Sequence, residues 1–201
     1  MPRLLLIRHG SHDLLGRELV GRRPGVHLSE KGRAEAEALA RRLASMPIAE
    51  LHSSPRERAI ETAEPICRRL GVAMQIEPAL DEMDFGDWTG RTLDSLDLEP
   101  VWRRFNRDRA LTRIPGGETM AEVAARMARF MDGLTGKHAD PELAIAMVGH
   151  GDPIRAAVAQ AIGLPLDFML RFDIAPASLS VLRTSEHGVV LERLNDLSHC
   201  A

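Results

Sequence analysis

The sequence predicts a single α/β domain over residues 1–201, with a mostly parallel central sheet and helices on both faces. Leu4–Ile7 and Ala144–Val148 are short runs of apolar residues only, which is typical of strands buried on both faces. Between such runs lie segments whose apolar residues recur at helical spacing. This alternation of strands and helices favours parallel strands, because a crossover helix brings the chain back to the edge of the sheet at which the previous strand began.

The individual elements follow from local signals. A helix is expected behind Ser29 as N-cap, because Ala36, Leu39, Ala40 and Leu43 recur on one helical face. A strand is predicted at 48–52, followed by a helix that Ser53-Ser54-Pro55 caps and starts and that Pro65 kinks or breaks. The next predicted elements are a strand at 72–76, a loop at 78–91, a helix at 93–105 and a helix at 120–134 that follows Pro115-Gly116-Gly117. Asp152 and Pro153 are predicted to cap and start another helix, and strands at 179–182 and 189–191 are predicted to form a hairpin.

Composition narrows the function classes. The formal net charge is −3, which argues against a protein built to hold nucleic acid or an anionic membrane. Cys67 and Cys200 lack the spacing of a disulfide framework or a thiolate metal site. The first apolar run is too short for a signal-peptide core or a membrane span. We therefore expect a cytoplasmic protein, and the sequence does not indicate its oligomeric state.

Polar residues follow three of the predicted strands. Arg8-His9-Gly10 follows the first strand, Ser53-Ser54-Pro55 with Arg56 and Arg58 follows the second, and His150-Gly151 follows the strand at 144–148. In an open α/β sheet, ligands bind outside the carboxyl ends of the strands. Arginines and a helix N-terminus both suit a phosphoryl group, so the sequence predicts a phosphate pocket at this edge.

The histidines predict chemistry in addition to anion binding. An imidazole among arginines would be kept neutral by their charge, so His9 could accept a phosphoryl group covalently. A second imidazole could help to neutralise the transition state. The sequence contains no Walker loop or paired acidic metal motif, so arginine and histidine would do this without a cofactor. The alternatives are structural histidines, or a metal site formed by His9, His12, Asp13 and His150.

The set of motifs resembles the histidine phosphatase superfamily, which includes phosphoglycerate mutases and many phosphatases. The matching segments, in family order, are Leu4-Leu-Leu-Ile-Arg-His-Gly10, Ser53-Ser-Pro-Arg-Glu-Arg-Ala59 with Thr62-Ala63, Leu80-Asp-Glu-Met-Asp-Phe-Gly-Asp-Trp-Thr-Gly90, Pro115-Gly-Gly-Glu118, Val148-Gly-His-Gly151 with Ile154-Arg155, and Leu194-Asn-Asp196. The resemblance covers essentially the whole chain and implies a phosphoglycerate mutase-like fold.

The resemblance also implies roles for individual residues. His9 would be the nucleophile, Arg8 and Arg58 would hold the phosphoryl group, His150 would complete the pocket and Glu82 would donate a proton. Gly151 would bind substrate beside His150. Arg56 is expected on the surface. The acidic neighbours Asp81, Asp84 and Asp87 are expected to raise the pKa of Glu82 by their negative charge.

Two regions complete the predicted substrate site. After Gly10 the family usually has Glu or Gln and then Thr or Ser, whereas this chain has Ser11, His12 and Asp13. Ser11 is predicted to contact substrate at the first of these positions. Gly21–Gly25 lies where the family builds its substrate rim, and Arg22 there could select an acidic substrate or belong to a solvated loop.

The predicted function is hydrolysis of phosphomonoesters, without a metal, through a phosphohistidine. The partner is a small phosphorylated molecule. The first alternative is a mutase, which returns the phosphoryl group to a bound acceptor. Hydrolysis is favoured because mutases generally carry a longer stretch between the positions of Glu82 and His150. The second alternative is a phosphate-binding module without turnover.

Overall fold

A computed structural model describes residues 1–138 and 140–200, and these residues form a six-stranded sheet. The strands are β1 (Arg3–Arg8), β2 (Ile48–Ser53), β3 (Met74–Ile76), β4 (Ala144–Gly149), β5 (Leu179–Ser185) and β6 (Gly188–Asp196). Their order is β3-β2-β4-β1-β5-β6. Strands β1 to β4 are parallel to one another, whereas β5 runs antiparallel to β1 and β6 runs antiparallel to β5. The predicted α/β class and hairpin are therefore confirmed, in a mixed sheet.

The helices are α1 (Glu30–Leu43), α2 (Glu57–Leu70), α3 (Leu93–Leu96), α4 (Pro100–Arg107), α5 (Met120–Lys137) and α6 (Gly151–Ala161). The cap predicted for α1 is confirmed, because the Ser29 side chain accepts a hydrogen bond from the Gly32 backbone N–H. Among the described residues, no helix has both the length and the apolar character that crossing a bilayer requires.

Helices cover the sheet on both faces, as expected. Along β1 the side chains alternate: Leu5 and Ile7 pack into the cluster that contains residues of α1 and α2. Leu4 and Leu6 pack into the cluster that contains residues of α5 and α6. A third cluster, which includes Met83, joins the 83–88 turn to α4, to the start of α5 and to α6. This last cluster gives the loop that carries Glu82 a core of its own.

Three local predictions were wrong. Helix α2 begins at Glu57, not at Ser54. Pro65 does not break this helix, which continues through it with one apolar face buried against the sheet. The helix predicted over 93–105 is divided into α3 and α4, since Pro100 starts a new helix. Helix α6 begins at Gly151, so Asp152 lies inside its first turn and does not cap it.

The turn after β1 lies directly against helix α1. A Cβ atom on Gly10 would be 2.7 Å from the Gly32 carbonyl oxygen, and one on Gly32 would be 2.0 Å from the Ser11 carbonyl oxygen. Ser29 also donates backbone and side-chain hydrogen bonds to that Ser11 oxygen, at 2.9 and 3.1 Å. Two backbones can approach so closely only where side chains are absent. The contact fixes the position of the chain next to His9.

We expect Gly32→Ala to lower the free energy of unfolding by about 1–3 kcal/mol, because its methyl group would overlap backbone atoms that must then move. Gly133→Ala is the matched control within helix α5, where a Cβ would meet nothing within 4 Å. That variant should gain roughly 0.5–1 kcal/mol from helix propensity. Urea denaturation measures both, and equal changes in the two variants would contradict the proposed close contact.

Candidate active site

A cavity of about 460 Å³ opens where β1 and β4 end and α6 begins. Chain connections leave β1 and β4 in opposite directions across the sheet, and such a switch point is where α/β folds bind ligands. The lining residues at the inner end include Arg8, His9, Arg58, Glu82 and Gly151. The structure therefore brings together most of the residues that the sequence singled out. The apolar side of the wall is formed by Leu15, Leu19, Val20, Phe85 and Leu93.

His9 is buried at the end of β1 and is held in one tautomer. Its Nδ1 lies 2.8 Å from the Gly10 carbonyl oxygen, which can only accept, so Nδ1 carries the proton. Nε2 therefore keeps a lone pair, and it accepts a hydrogen bond from Arg58 Nε at 3.3 Å. This is the form of the imidazole that can act as a nucleophile.

Arg58 connects the elements around the cavity from the first turn of α2. Its Nη2 donates to the Gly21 carbonyl oxygen at 2.7 Å and to His150 Nδ1 at 3.1 Å. His150 Nδ1 is therefore an acceptor, and its Nε2–H donates to Ser54 Oγ at 2.7 Å. Arg58 and His150 are fully buried. One guanidinium thus orients both imidazoles.

The electrostatics keep both imidazoles uncharged at neutral pH. Burial lowers the pKa of His9 well below its usual value, and the charges of Arg58 and Arg8 lower it further. Burial and Arg58 likewise lower the pKa of His150. For His12, burial and then Arg58 and Arg8 lower the pKa to about 4.

Two buried arginine nitrogens beside the cavity lack a hydrogen-bond acceptor among the described residues. Arg8 Nη1 donates to the Ile174 carbonyl oxygen at 2.6 Å, but Arg8 Nε and Arg58 Nη1 have no hydrogen-bond partner within the described part of the chain. Both atoms are buried, and a buried donor without a partner costs free energy. Phosphoryl oxygens are acceptors that such guanidinium donors bind strongly.

Glu82 lies opposite the arginines, with Oε2 3.9 Å from His150 Nδ1. Its backbone is held on both sides, because its carbonyl oxygen accepts from Arg22 Nε at 2.8 Å and its N–H donates to Asp81 Oδ1 at 2.8 Å. Burial, followed by the negative charge of Asp152, raises the pKa of Glu82 to about 7. The carboxyl group is therefore largely protonated below neutral pH.

The expected cause of this shift was wrong. Asp81 is neutralised by Arg56, whose Nε and Nη2 contact its two oxygens at 2.9 and 2.8 Å, and Asp84 lies 3.6 Å from Arg22. Asp87 is exposed. The expectation that Arg56 lies on the surface was also wrong, because this bidentate pair half-buries it.

Two residues that were predicted to contact substrate, Ser11 and Arg22, bind other parts of the protein. Ser11 donates its backbone N–H and its hydroxyl to the Glu35 carboxylate at 2.8 and 3.0 Å. Arg22 contacts Glu118 at 2.9 Å as well as the carbonyl of Glu82, and neither Ser11 nor Arg22 lines the cavity. Arg22 thus belongs to the support of the Glu82 loop.

Two residues that line the cavity were not predicted as part of the phosphate pocket, although His12 was considered as a ligand of the alternative metal site. His12 lines the cavity with its ring 5.5 Å from that of His9, and Asp152 lines it from the first turn of α6. Asp152 directly follows His150-Gly151, and this position next to a strand end could have indicated that Asp152 lies near the site. The alternative metal site gains no support, since the described residues contain no cluster of three or more His, Cys, Asp or Glu suited to a metal.

Comparison with known proteins gives consistent matches. The family model for the histidine phosphatase superfamily (branch 1) matches residues 4–197. Phosphoserine phosphatase 1 of Hydrogenobacter thermophilus is 28% identical over 99% of this chain and 94% of its own. A protein named as a probable phosphoglycerate mutase from Erwinia tasmaniensis is 29% identical over 99% and 95%. The structure of mycobacterial glucosyl-3-phosphoglycerate phosphatase superposes with a TM-score of 0.88 at 28% identity, covering 96% of this chain and 98% of that one.

Proposed function

The chain belongs to the histidine phosphatase superfamily, branch 1, and on that premise we propose that it hydrolyses small phosphomonoesters through a phosphohistidine on His9. The observation that carries the proposal is the arrangement around Arg58. It donates to His9 Nε2 and to His150 Nδ1, while its Nη1 has no partner within the described residues. A neutral nucleophile therefore lies beside unsatisfied cationic donors.

In the first step, the lone pair of His9 Nε2 forms a bond to phosphorus as the bond from phosphorus to the ester oxygen breaks. Glu82 gives its proton to that oxygen, and the alcohol leaves. The imidazole becomes positively charged, and the Gly10 carbonyl that accepts from Nδ1 stabilises this charge. Arg58 Nε exchanges its hydrogen bond to Nε2 for one to a phosphoryl oxygen.

In the second step, water attacks the phosphohistidine. Glu82 is now a carboxylate and takes one proton from that water, while the bond from phosphorus to Nε2 breaks. Inorganic phosphate leaves, and His9 and Glu82 return to their first states. Arg8 and Arg58 supply the positive charge that stabilises the transferring group, and the neutral His150 accepts from Arg58 and orients it, so the proposed reaction needs no metal ion.

The second candidate function is that of a mutase. It is considered because one relative is named as a probable phosphoglycerate mutase. It would share the first step and then return the phosphoryl group to a bound acceptor. Relatives that carry the name phosphatase support hydrolysis. Incubation with each phosphoglycerate separates the candidates: a phosphatase releases inorganic phosphate, whereas a mutase accumulates the isomer. A binding module without turnover would release neither product.

We expect His9→Ala to reduce turnover about 10³-fold or more, because the variant lacks the unprotonated Nε2 that lies beside Arg58. Rapid quenching without acid, followed by mass spectrometry, should find one phosphate on the peptide that contains His9. His187→Ala, at an exposed position in the β5–β6 turn, is the control and should keep wild-type activity. Substantial activity in His9→Ala, or phosphate on another peptide, would contradict the assignment.

For Glu82→Gln, we expect kcat/KM for alkyl phosphates to fall by about 10²–10⁴-fold and that for p-nitrophenyl phosphate to change much less. An alkyl alcohol needs a proton as it leaves, whereas nitrophenolate does not. With a pKa of about 7, Glu82 is protonated below neutral pH, so wild-type kcat/KM for alkyl phosphates should decline above that pH. Equal losses on both substrates would show that Glu82 binds substrate and does not donate a proton.

A further inference from the structure

The cavity contains a second buried carboxylate that the proposed steps do not use. Asp152 follows His150-Gly151 in the first turn of α6, and it lines the same cavity as Glu82. Only 12% of its side chain is exposed. A carboxylate so placed requires an explanation, because burying a negative charge near a phosphate site is unfavourable.

Asp152 is held in its ionised form. Arg109 Nη2 donates to Oδ2 at 2.8 Å, and Arg155 Nη1 lies 3.5 Å from Oδ1. Arg109 is itself nearly buried and fixed over the ring of Phe105, 4.4 Å from its centroid. Burial raises the pKa of Asp152, but Arg109 and Arg155 outweigh burial and lower it overall. Asp152 is thus a fixed negative charge at neutral pH.

Most of the other charges around Glu82 favour its ionised form. Arg8 from β1 and Arg58 from α2 both attract a carboxylate at this position. Arg22 and Arg126 donate to its backbone carbonyl at 2.8 and 3.2 Å. Other titratable groups of this region include the neutral imidazoles of His9 and His150 and the arginine-paired carboxylates of Asp81, Asp84 and Glu118. The same cavity is also lined by His12, Glu18 and Arg155.

An ionised Glu82 could not donate a proton, and it would repel the incoming phosphoryl group. The surrounding arginines are needed for the proposed phosphate binding, and their effect on Glu82 is opposed first by burial and then by the negative charge of Asp152. Asp152 is placed to do this, because its pairing with Arg109 prevents it from taking the proton itself. Acid–base sites often contain two carboxyl groups whose surroundings give them different pKa values, so that one is protonated while the other is ionised.

We propose that Asp152 is a positioning residue that acts together with burial to keep Glu82 protonated, so that Glu82 can donate to the leaving group. The inference rests on the proposed function and extends it to a residue with no direct part in bond making or breaking. Asp152 acts through its charge and not through contact with the reacting atoms. Its effect must therefore follow the charge at position 152 and not the detailed shape of the side chain.

The test compares pH profiles of kcat/KM for an alkyl phosphate in the wild type, Asp152→Asn and Asp152→Glu. In Asp152→Asn, the decline on the alkaline side should begin lower, by on the order of one pH unit, because removing a nearby negative charge at an effective dielectric near 20 lowers the pKa of Glu82. Asp152→Glu keeps the charge and should restore the wild-type profile. Asp87→Asn, which removes an exposed carboxylate of the same loop as Glu82, should leave the profile unchanged.

Two further measurements separate this proposal from a structural role. The hydrolysis of p-nitrophenyl phosphate needs no proton donor. With this substrate, Asp152→Asn should therefore retain most of the wild-type kcat/KM at every pH. Asp152→Ser is a second neutral variant suited to a first helical turn, should Asn destabilise the fold, and it should shift the profile in the same direction.

An unshifted alkaline limb in an active neutral variant would overturn the proposal. So would a rise in KM alone, which would make Asp152 a substrate contact, or equal losses on both substrates, which would make its role structural. Failure of the proposed function would look different, because the wild type itself would then hydrolyse neither substrate.

Discussion

The buried guanidinium of Arg58 is the interaction on which the rest of the site depends. It is fully buried, and it joins His9, His150 and the Gly21 carbonyl in one hydrogen-bond network. Burying an unpaired cation costs free energy that other contacts of the fold must offset. Its charge helps to keep both imidazoles neutral, and its geometry selects their tautomers.

The fold supports this network from several directions. Thr62, one turn after Arg58 on α2, donates to the Arg58 carbonyl at 2.7 Å and accepts from the Gly10 N–H at 3.0 Å. The turn after β1 and the start of α2 are thereby locked together. On the other side of the cavity, Glu118 accepts from the Asp84 N–H at 2.9 Å and so fixes the loop that carries Glu82. Glu82 and His9, the proposed acid and the proposed nucleophile, are therefore held by separate parts of the fold.

The sequence predicted the sheet and grouped several residues of the site, because these residues lie at strand ends. His9, His150 and Gly151 needed only the rule that parallel strands end at one edge, whereas the choice of Arg58 over Arg56 came from the family resemblance. Contacts between distant segments could not be predicted in this way. The pairing of Arg56 with Asp81 and the anchoring role of Arg22 depend on how the 78–91 loop folds back, and no periodic signal reports this.

The central claim is that the surroundings of His9 keep it neutral with its proton on Nδ1. Nitrogen-15 NMR of the histidine-labelled protein, followed from pH 8 to pH 5, tests this claim most directly, with His9→Gln identifying the resonances. We predict that His9 remains neutral through this range, with a protonated Nδ1 and an unprotonated Nε2. Titration of His9 near its ordinary pKa, or a proton on Nε2, would contradict the account.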